Sequence, residues 1–196
     1  MKPIIGIISR KSLSETKRNI DIVYKDIYSS VLKSGGIPIG IPSDTNILEY
    51  LNICKGIIFQ GGDNIETFNL NTIKILKEKD IPTLGICLGM QEMFYENNDF
   101  DINNHKNTMH PINIKKDTLL YKILNKDTII VNSRHKSSLH NPSYKISSIS
   151  KDNVVESLED PNQTFFLGLQ WHPENIYDES IDSRLIFDYF IKICNN

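Results

Sequence analysis

Apolar residues gather in short blocks along the first half of the chain, and the blocks alternate between two spacings. Pro3 to Ser9 is a run of isoleucines broken by Gly6, the pattern of a strand covered on both faces, as parallel sheets require. After a polar loop, Arg10 to Asn19, the residues Ile20, Val23, Tyr24, Ile27, Tyr28, Val31 and Leu32 recur at helical spacing until Gly35 and Gly36 stop them. Ile37 to Ile41 reads as a second strand. The alternation continues with a short helix near Ile47 to Ile53, a strand Gly56 to Phe59, a helix around Leu70 to Lys79 and a strand Pro82 to Ile86. Such alternation predicts right-handed crossovers and an α/β architecture with an open, mostly parallel sheet flanked by helices. Ligands bind such sheets beyond the carboxyl ends of the strands. The segments Gln60-Gly61-Gly62-Asp63 and Cys87-Leu88-Gly89 fall at two of those ends.

Past Glu96 the pattern changes to shorter β-like runs: Pro111 to Ile114, Thr128 to Val131, Tyr144 to Ile149, Val154 to Leu158 and Phe165 to Gln170. These predict a mixed β extension of the sheet. A last amphipathic helix carries Ile181, Leu185, Ile186, Tyr189, Phe190 and Ile193. The Asn- and Asp-rich stretch Glu96 to Asn107 is expected to be a mobile loop. With no internal repeat and no Pro-, Gly- or Ser-rich linker, residues 1–196 are expected to form a single domain.

Charge narrows the function classes. Twenty-two basic against 24 acidic residues leave a formal charge of -2, too weak a field to hold a phosphate backbone or an anionic membrane. Neither nucleic acid nor membrane is an expected partner. The opening MKPIIGIISRK is apolar over too few residues for a secretory segment, so a cytoplasmic location is expected. The three cysteines, at 54, 87 and 194, form neither a disulfide framework nor a metal-type spacing.

Cys87 differs from the other two because it stands at a strand-to-helix junction with Gly85 and Gly89 on either side. A sulfur at a helix N-terminus is favoured as thiolate, the form that attacks a carbonyl carbon. The same turn aims the Leu88 N–H inward as half of an oxyanion hole, and an N–H of Gly61 or Gly62 is the expected other half. A thiolate nucleophile needs a base, and His172 with Glu174 two residues on supplies one with an orienting carboxylate. On an extended chain, residues two apart face the same side. Cys54 and Cys194 read as small buried hydrophobes, and Trp171 as a residue of the core edge. His105, His110 and His140 sit in polar, turn-like surroundings and read as surface residues, with His110 nearest to a role at a substrate mouth. No metal site and no cofactor is expected. Lys11, Lys17 and Arg18 read most simply as solvated loop charges, with recognition of an anionic leaving group as the alternative, since the loop follows a strand's carboxyl end.

The segment GICLGMQ at 85–91, followed far downstream by QWHPE at 170–174, resembles the class I glutamine amidotransferases, near the γ-glutamyl-γ-aminobutyrate hydrolases of the peptidase C26 group. The resemblance covers nearly the whole chain. It implies a flavodoxin-like sheet, a Cys87, His172 and Glu174 triad, and a glutamyl pocket lined by Gln91, Asn132, Ser133 and His135. It also implies cleavage of a γ-glutamyl amide bond through a glutamyl thioester, with glutamine or a small γ-glutamyl substrate. Two features pull apart. The NSRH segment at 132–135 is similar to the stand-alone hydrolases, whereas Leu88 after the cysteine resembles glutaminase subunits that feed ammonia to a partner synthetase. A third reading keeps the fold as a binding or regulatory protein without the reaction.

Overall fold

The computed structural model describes residues 1–96, 99–102 and 105–195. The isoleucine run forms β1 (Ile4–Ile8). Its side chains alternate strictly: Ile5 and Ile7 join one buried cluster, while Ile4 and Ile8 meet the other on the opposite face. The chain then forms a hairpin of β2 (Arg10–Leu13) and β3 (Asn19–Ile22), followed by α1 (Lys25–Lys33). The two ends of the expected loop and the first turn of the expected helix are therefore strands, and only residues 14–18 remain as the turn between them. Ile20 and Ile22 share one face of β3, and Ile27 and Val31 are the α1 residues of the apolar set that are fully buried.

Next come β4 (Ile37–Ile41), α2 (Ile47–Tyr50), β5 (Cys54–Phe59), α3 (Thr67–Glu78), β6 (Thr83–Ile86) and α4 (Leu88–Met93). Beyond α4 lie β7 (Asp99–Asp101), β8 (Thr108–Ile114), α5 (Leu119–Leu124), β9 (Thr128–Ser133), β10 (Ser137–Leu139), β11 (Lys145–Ser150), β12 (Val155–Glu159), β13 (Phe166–Leu169) and α6 (Ile181–Cys194). The apolar pattern carries no sign of α5, β7 or β10, each of six residues or fewer. The stretch expected as a mobile loop contains β7, paired antiparallel with β10, and the buried His105; Asn97, Asn98, Asn103 and Asn104 lie outside the described residues.

The main sheet runs β4-β1-β5-β6-β13-β12-β11-β8-β9. The first five strands are parallel, and from β13 onward each neighbour is antiparallel. This is the open parallel sheet with a mixed extension. α1, α5 and α6 bury Ile27, Val31, Leu120, Leu124, Phe187 and Phe190 on one face, while α2, α3 and α4 bury Ile47, Ile73, Leu76, Met90 and Met93 on the other. Cys54, Cys194 and Trp171 are buried in these cores. Among the described residues no helix is long and apolar enough to cross a membrane.

One consequence of the strand order positions the site. β5, β6 and β13 are adjacent and parallel, so the residues just past their carboxyl ends lie side by side: Gln60 to Gly62, Cys87, and the segment leading to His172. The Cys87 N–H donates to the Leu169 carbonyl at 2.8 Å, locking the ends of β6 and β13 together.

Candidate active site

Cys87 sits at the turn from β6 into α4 with φ 53° and ψ -111°. A left-handed φ is strained for any residue with a Cβ, and it persists only where the surroundings over-determine it. Here the constraint is the tight seat of α4 on the sheet. Gly89 lies so close to the Phe59 backbone that a Cβ there would overlap the Phe59 carbonyl, so the helix can start directly beyond the cysteine. Cys87 is 9% exposed, at the floor of a cavity of about 330 Å³ that Gly61, Gly62, Arg134, His172 and Glu174 also line.

The His172 Nδ1 lies 2.7 Å from Glu174 Oε1. The extended chain assumed from the sequence is not what brings them together. Pro173–Ile176 forms a 3-10 turn that begins right after His172, and this turn folds the Glu174 carboxylate back under the imidazole. Burial by itself would lower the His172 pKa, but hydrogen bonds to Cys87 and Glu174 outweigh it and push the value up to about 10. The ring is therefore favoured as imidazolium between the Cys87 sulfur and the Glu174 carboxylate. The same proximity involves the glycine loop: a Cβ at Gly61 would stand 3.0 Å from His172 Cε1 and 3.6 Å from the Cys87 Cβ.

A buried arginine holds that loop, and sequence reasoning passed over it as part of a polar loop. Arg10, 5% exposed, forms a bidentate pair with the buried Glu92 of α4, both bonds at 2.8 Å. The same guanidinium donates to the Gln60 carbonyl at 2.5 Å and the Gly61 carbonyl at 3.2 Å. In a trans peptide the N–H points opposite to the preceding C=O, so the amides of Gly61 and Gly62 are turned away from Arg10. The Gln60 side chain completes the anchor. It donates to the carbonyls of Ile8 and Ile22 and accepts from the Tyr24 N–H, tying β1, β3 and the start of α1 together.

The residues expected to line a glutamyl pocket are placed differently. Gln91 is buried and donates to the Ser137 carbonyl and to Gln170 Oε1. Ser133 donates to the His105 carbonyl, and the His135 Nδ1 bonds the Ser137 carbonyl. Neither these nor Asn132 is among the residues lining the cavity beside Cys87. Arg134, between Ser133 and His135, does line it, and so does Asp26 of α1. Asn175 bridges the two, accepting from Arg134 Nη1 at 3.1 Å and donating to Asp26 Oδ2 at 2.9 Å. The cavity beside the nucleophile candidate thus carries both a cation and an anion. Neither could be found from sequence, since both are ordinary charged residues until the fold sets them beside Cys87. Of the histidines expected at the surface, His140 is exposed, but His105 is only 3% exposed and His110 is half-buried. β12 inserts the carboxylate of Glu156 beneath the latter two, which is why polar flanking sequence misled the reading.

Comparisons with known proteins agree with the architecture. The peptidase C26 family model matches residues 3–75 and 66–174. Protein NtpR of Enterococcus hirae is 26% identical, over 98% of this chain and 99% of that protein. The γ-glutamyl-γ-aminobutyrate hydrolase PuuD of Escherichia coli K12 is 22% identical, over 99% of this chain and 94% of its own. In fold, the chain is similar to a crystal structure of a candidate GMP synthase component of Thermoplasma acidophilum, with a TM-score of 0.79 and 18% identity, over 100% of this chain and 95% of the other.

Proposed function

From the premise that the chain belongs to the peptidase C26 family, within the class I glutamine amidotransferase-like superfamily, we propose that it hydrolyses γ-glutamyl amide bonds with Cys87 as nucleophile. The observation that carries this reading is the convergence of Cys87, His172 and Glu174 on one cavity at the ends of two adjacent parallel strands, with the imidazole Nδ1 2.7 Å from the Glu174 carboxylate. In the proposed sequence the Cys87 sulfur bonds to the γ-carbonyl carbon. The oxyanion is met by the N–H groups of Leu88 and of Gly61 or Gly62. His172 passes its proton to the departing amine, and a glutamyl thioester forms. Water then attacks the thioester carbonyl with His172 taking its proton, the C–S bond breaks, and glutamate leaves with the Cys87 thiolate restored beside the protonated His172. Glu174 keeps Nδ1 occupied, so that Nε2 faces the chemistry.

The cavity supports a glutamyl rather than a generic acyl group. Arg134 is suited to the α-carboxylate and Asp26 to the α-ammonium, the two charges that distinguish an amino-acid end from an ordinary amide. Substrates are accordingly glutamine or γ-glutamyl conjugates of small amines. A second reading, in which the chain is a glutaminase component supplying ammonia to a synthetase, is favoured by Leu88 after the nucleophile and is compatible with the same pocket. Assays of glutamate release from glutamine and from a panel of γ-glutamyl amines, with the parental chain and with Cys87→Ala, test both. Turnover by the chain alone that disappears in Cys87→Ala supports the hydrolase. Turnover that survives the substitution overturns the nucleophile assignment, and silence toward every amide moves the reading to the partner-dependent glutaminase.

A further inference from the structure

His105, His110 and His135 converge with Glu156 of β12 on the β extension, away from the cavity beside Cys87. His105 precedes β8, His110 lies within it, and His135 follows β9, so three separate segments meet β12 here. The inward atoms are His105 Nδ1, His110 Nε2, His135 Nε2 and the Glu156 carboxylate, all within 4.8 Å of one another. From Glu156 Oε1 the three nitrogens stand at 3.1, 3.6 and 3.6 Å. None of these inward atoms makes a hydrogen bond among the described residues, although the side chains of His105, His135 and Glu156 are nearly sealed from solvent.

The outward nitrogens explain what is missing. His105 Nε2 faces Asp152 Oδ2 at 3.0 Å, His135 Nδ1 faces the Ser137 carbonyl at 3.1 Å, and His110 Nδ1 faces the Pro111 carbonyl at 3.3 Å. Those oxygens only accept, so each ring carries its proton on the outward nitrogen. With that one proton each, the rings turn three lone pairs toward one another and toward a buried carboxylate. One extra proton would satisfy a single imidazole–carboxylate pair and leave two nitrogens without a partner. A single divalent cation satisfies all four donors at once.

We propose that these four residues form a structural site for a divalent transition metal of the zinc class. Three imidazoles and one carboxylate are a borderline-soft donor set that suits zinc over magnesium or calcium. Ligand bonds of about 2.0–2.1 Å place neighbouring donors about 3.3 Å apart in a tetrahedron, close to the Glu156–histidine separations. The outward carboxylate and carbonyl partners are the arrangement that orients metal-bound imidazoles. Four protein ligands leave no open position, which makes the ion a staple and not a catalyst. It joins the start of β8 and the end of β9 to β12. The Glu156 carbonyl accepts from the Gln170 N–H at 2.8 Å, two residues before His172, so the staple also backs the strand that carries the histidine.

The test uses a Cys87→Ala background, so that metal on the cavity-facing thiol is not counted, and compares it with added His110→Ala and, separately, the isosteric Glu156→Gln. Cobalt(II) and zinc are each titrated into chelator-treated protein. The expected result is one cobalt per chain with the visible absorption of a tetrahedral site, and a zinc-induced rise in Tm of roughly 5–10 °C at a hundredfold excess over Kd. Both signals should be lost in either variant while far-ultraviolet circular dichroism is retained. No binding by the background protein, or binding that neither variant weakens, overturns the site.

Discussion

Arg10→Met tests the physical basis of the site, because it removes one member of a buried ion pair and leaves the shape nearly unchanged. Glu92 is 1% exposed and would lose two 2.8 Å charge-assisted bonds, keeping only the Asn69 side chain and the Glu66 N–H as donors among the described residues. Stranding a buried charge in this way costs about 3–5 kcal/mol, a large share of the roughly 5–15 kcal/mol that holds a domain of ordinary stability. The companion Arg10→Met with Glu92→Gln removes the stranded charge but keeps an acceptor for Asn69 and Glu66, so it should recover half or more of that loss. Catalysis should not recover with it. The Gln60 and Gly61 carbonyls still lack the donor that sets their peptide planes, and losing an oxyanion donor costs about 100- to 1,000-fold in kcat. Urea melts of the three proteins, with turnover measured on each, separate the two effects. A single Arg10→Met variant within about 1 kcal/mol of the parent, or a double variant with full activity, refutes the reasoning.

Three further outcomes follow from the same geometry. Burial raises the Cys54 thiol to about 11 and Cys194 to about 12, so at pH 8 only about one in a thousand and one in ten thousand of them are thiolate; iodoacetamide mapped by peptide mass spectrometry should therefore mark Cys87 first, and equal labelling of all three would contradict its assignment. His172 titrates near 10 in the folded chain against 6.5 when unperturbed, so its contribution to stability is fully present below about pH 6.5 and fades as pH rises through 10. Imidazole NMR should show that value falling in Cys87→Ala, because one of the two groups that raise it is gone, and an unchanged titration would mean that Cys87 is not its partner. Arg134→Met should lower kcat/KM for γ-glutamyl substrates by about 10- to 100-fold, the scale of one lost charge-assisted hydrogen bond, mainly through KM; a variant with parental KM would remove Arg134 from substrate recognition.

How much of this was legible in the sequence depended on whether the information is local. The strands β1 and β5 announce themselves through adjacent isoleucines and β6 as a short apolar run, and Cys87 between two glycines marks a sharp strand-to-helix turn without any knowledge of the rest of the fold. His172 and Glu174 were legible as a pair, although a 3-10 turn, and not an extended chain, unites them. The hairpin of β2 and β3 was missed because Ile20 and Val23 happen to continue the spacing of Ile27 and Val31, and a three-residue step does not distinguish a helix from an alternating strand followed by a turn. Arg10, Glu92, Asp26 and Arg134 were invisible for a different reason. Their partners lie far away in sequence, and only the order β1-β5-β6-β13 brings them together. The same holds for His105, His110, His135 and Glu156, whose convergence is a property of the antiparallel extension and has no spacing signature.

The proposed reaction requires that the Cys87 sulfur become acylated during turnover. Acid-quenched reactions with glutamine or a γ-glutamyl amine, analysed by intact-mass and peptide mass spectrometry, answer this directly. The expected product is a chain heavier by one glutamyl group, with the label on the Cys87 peptide, released by hydroxylamine and missing from Cys87→Ala. Glutamate release with no acyl group on Cys87 at any quench time, or with the group on another residue, would contradict it.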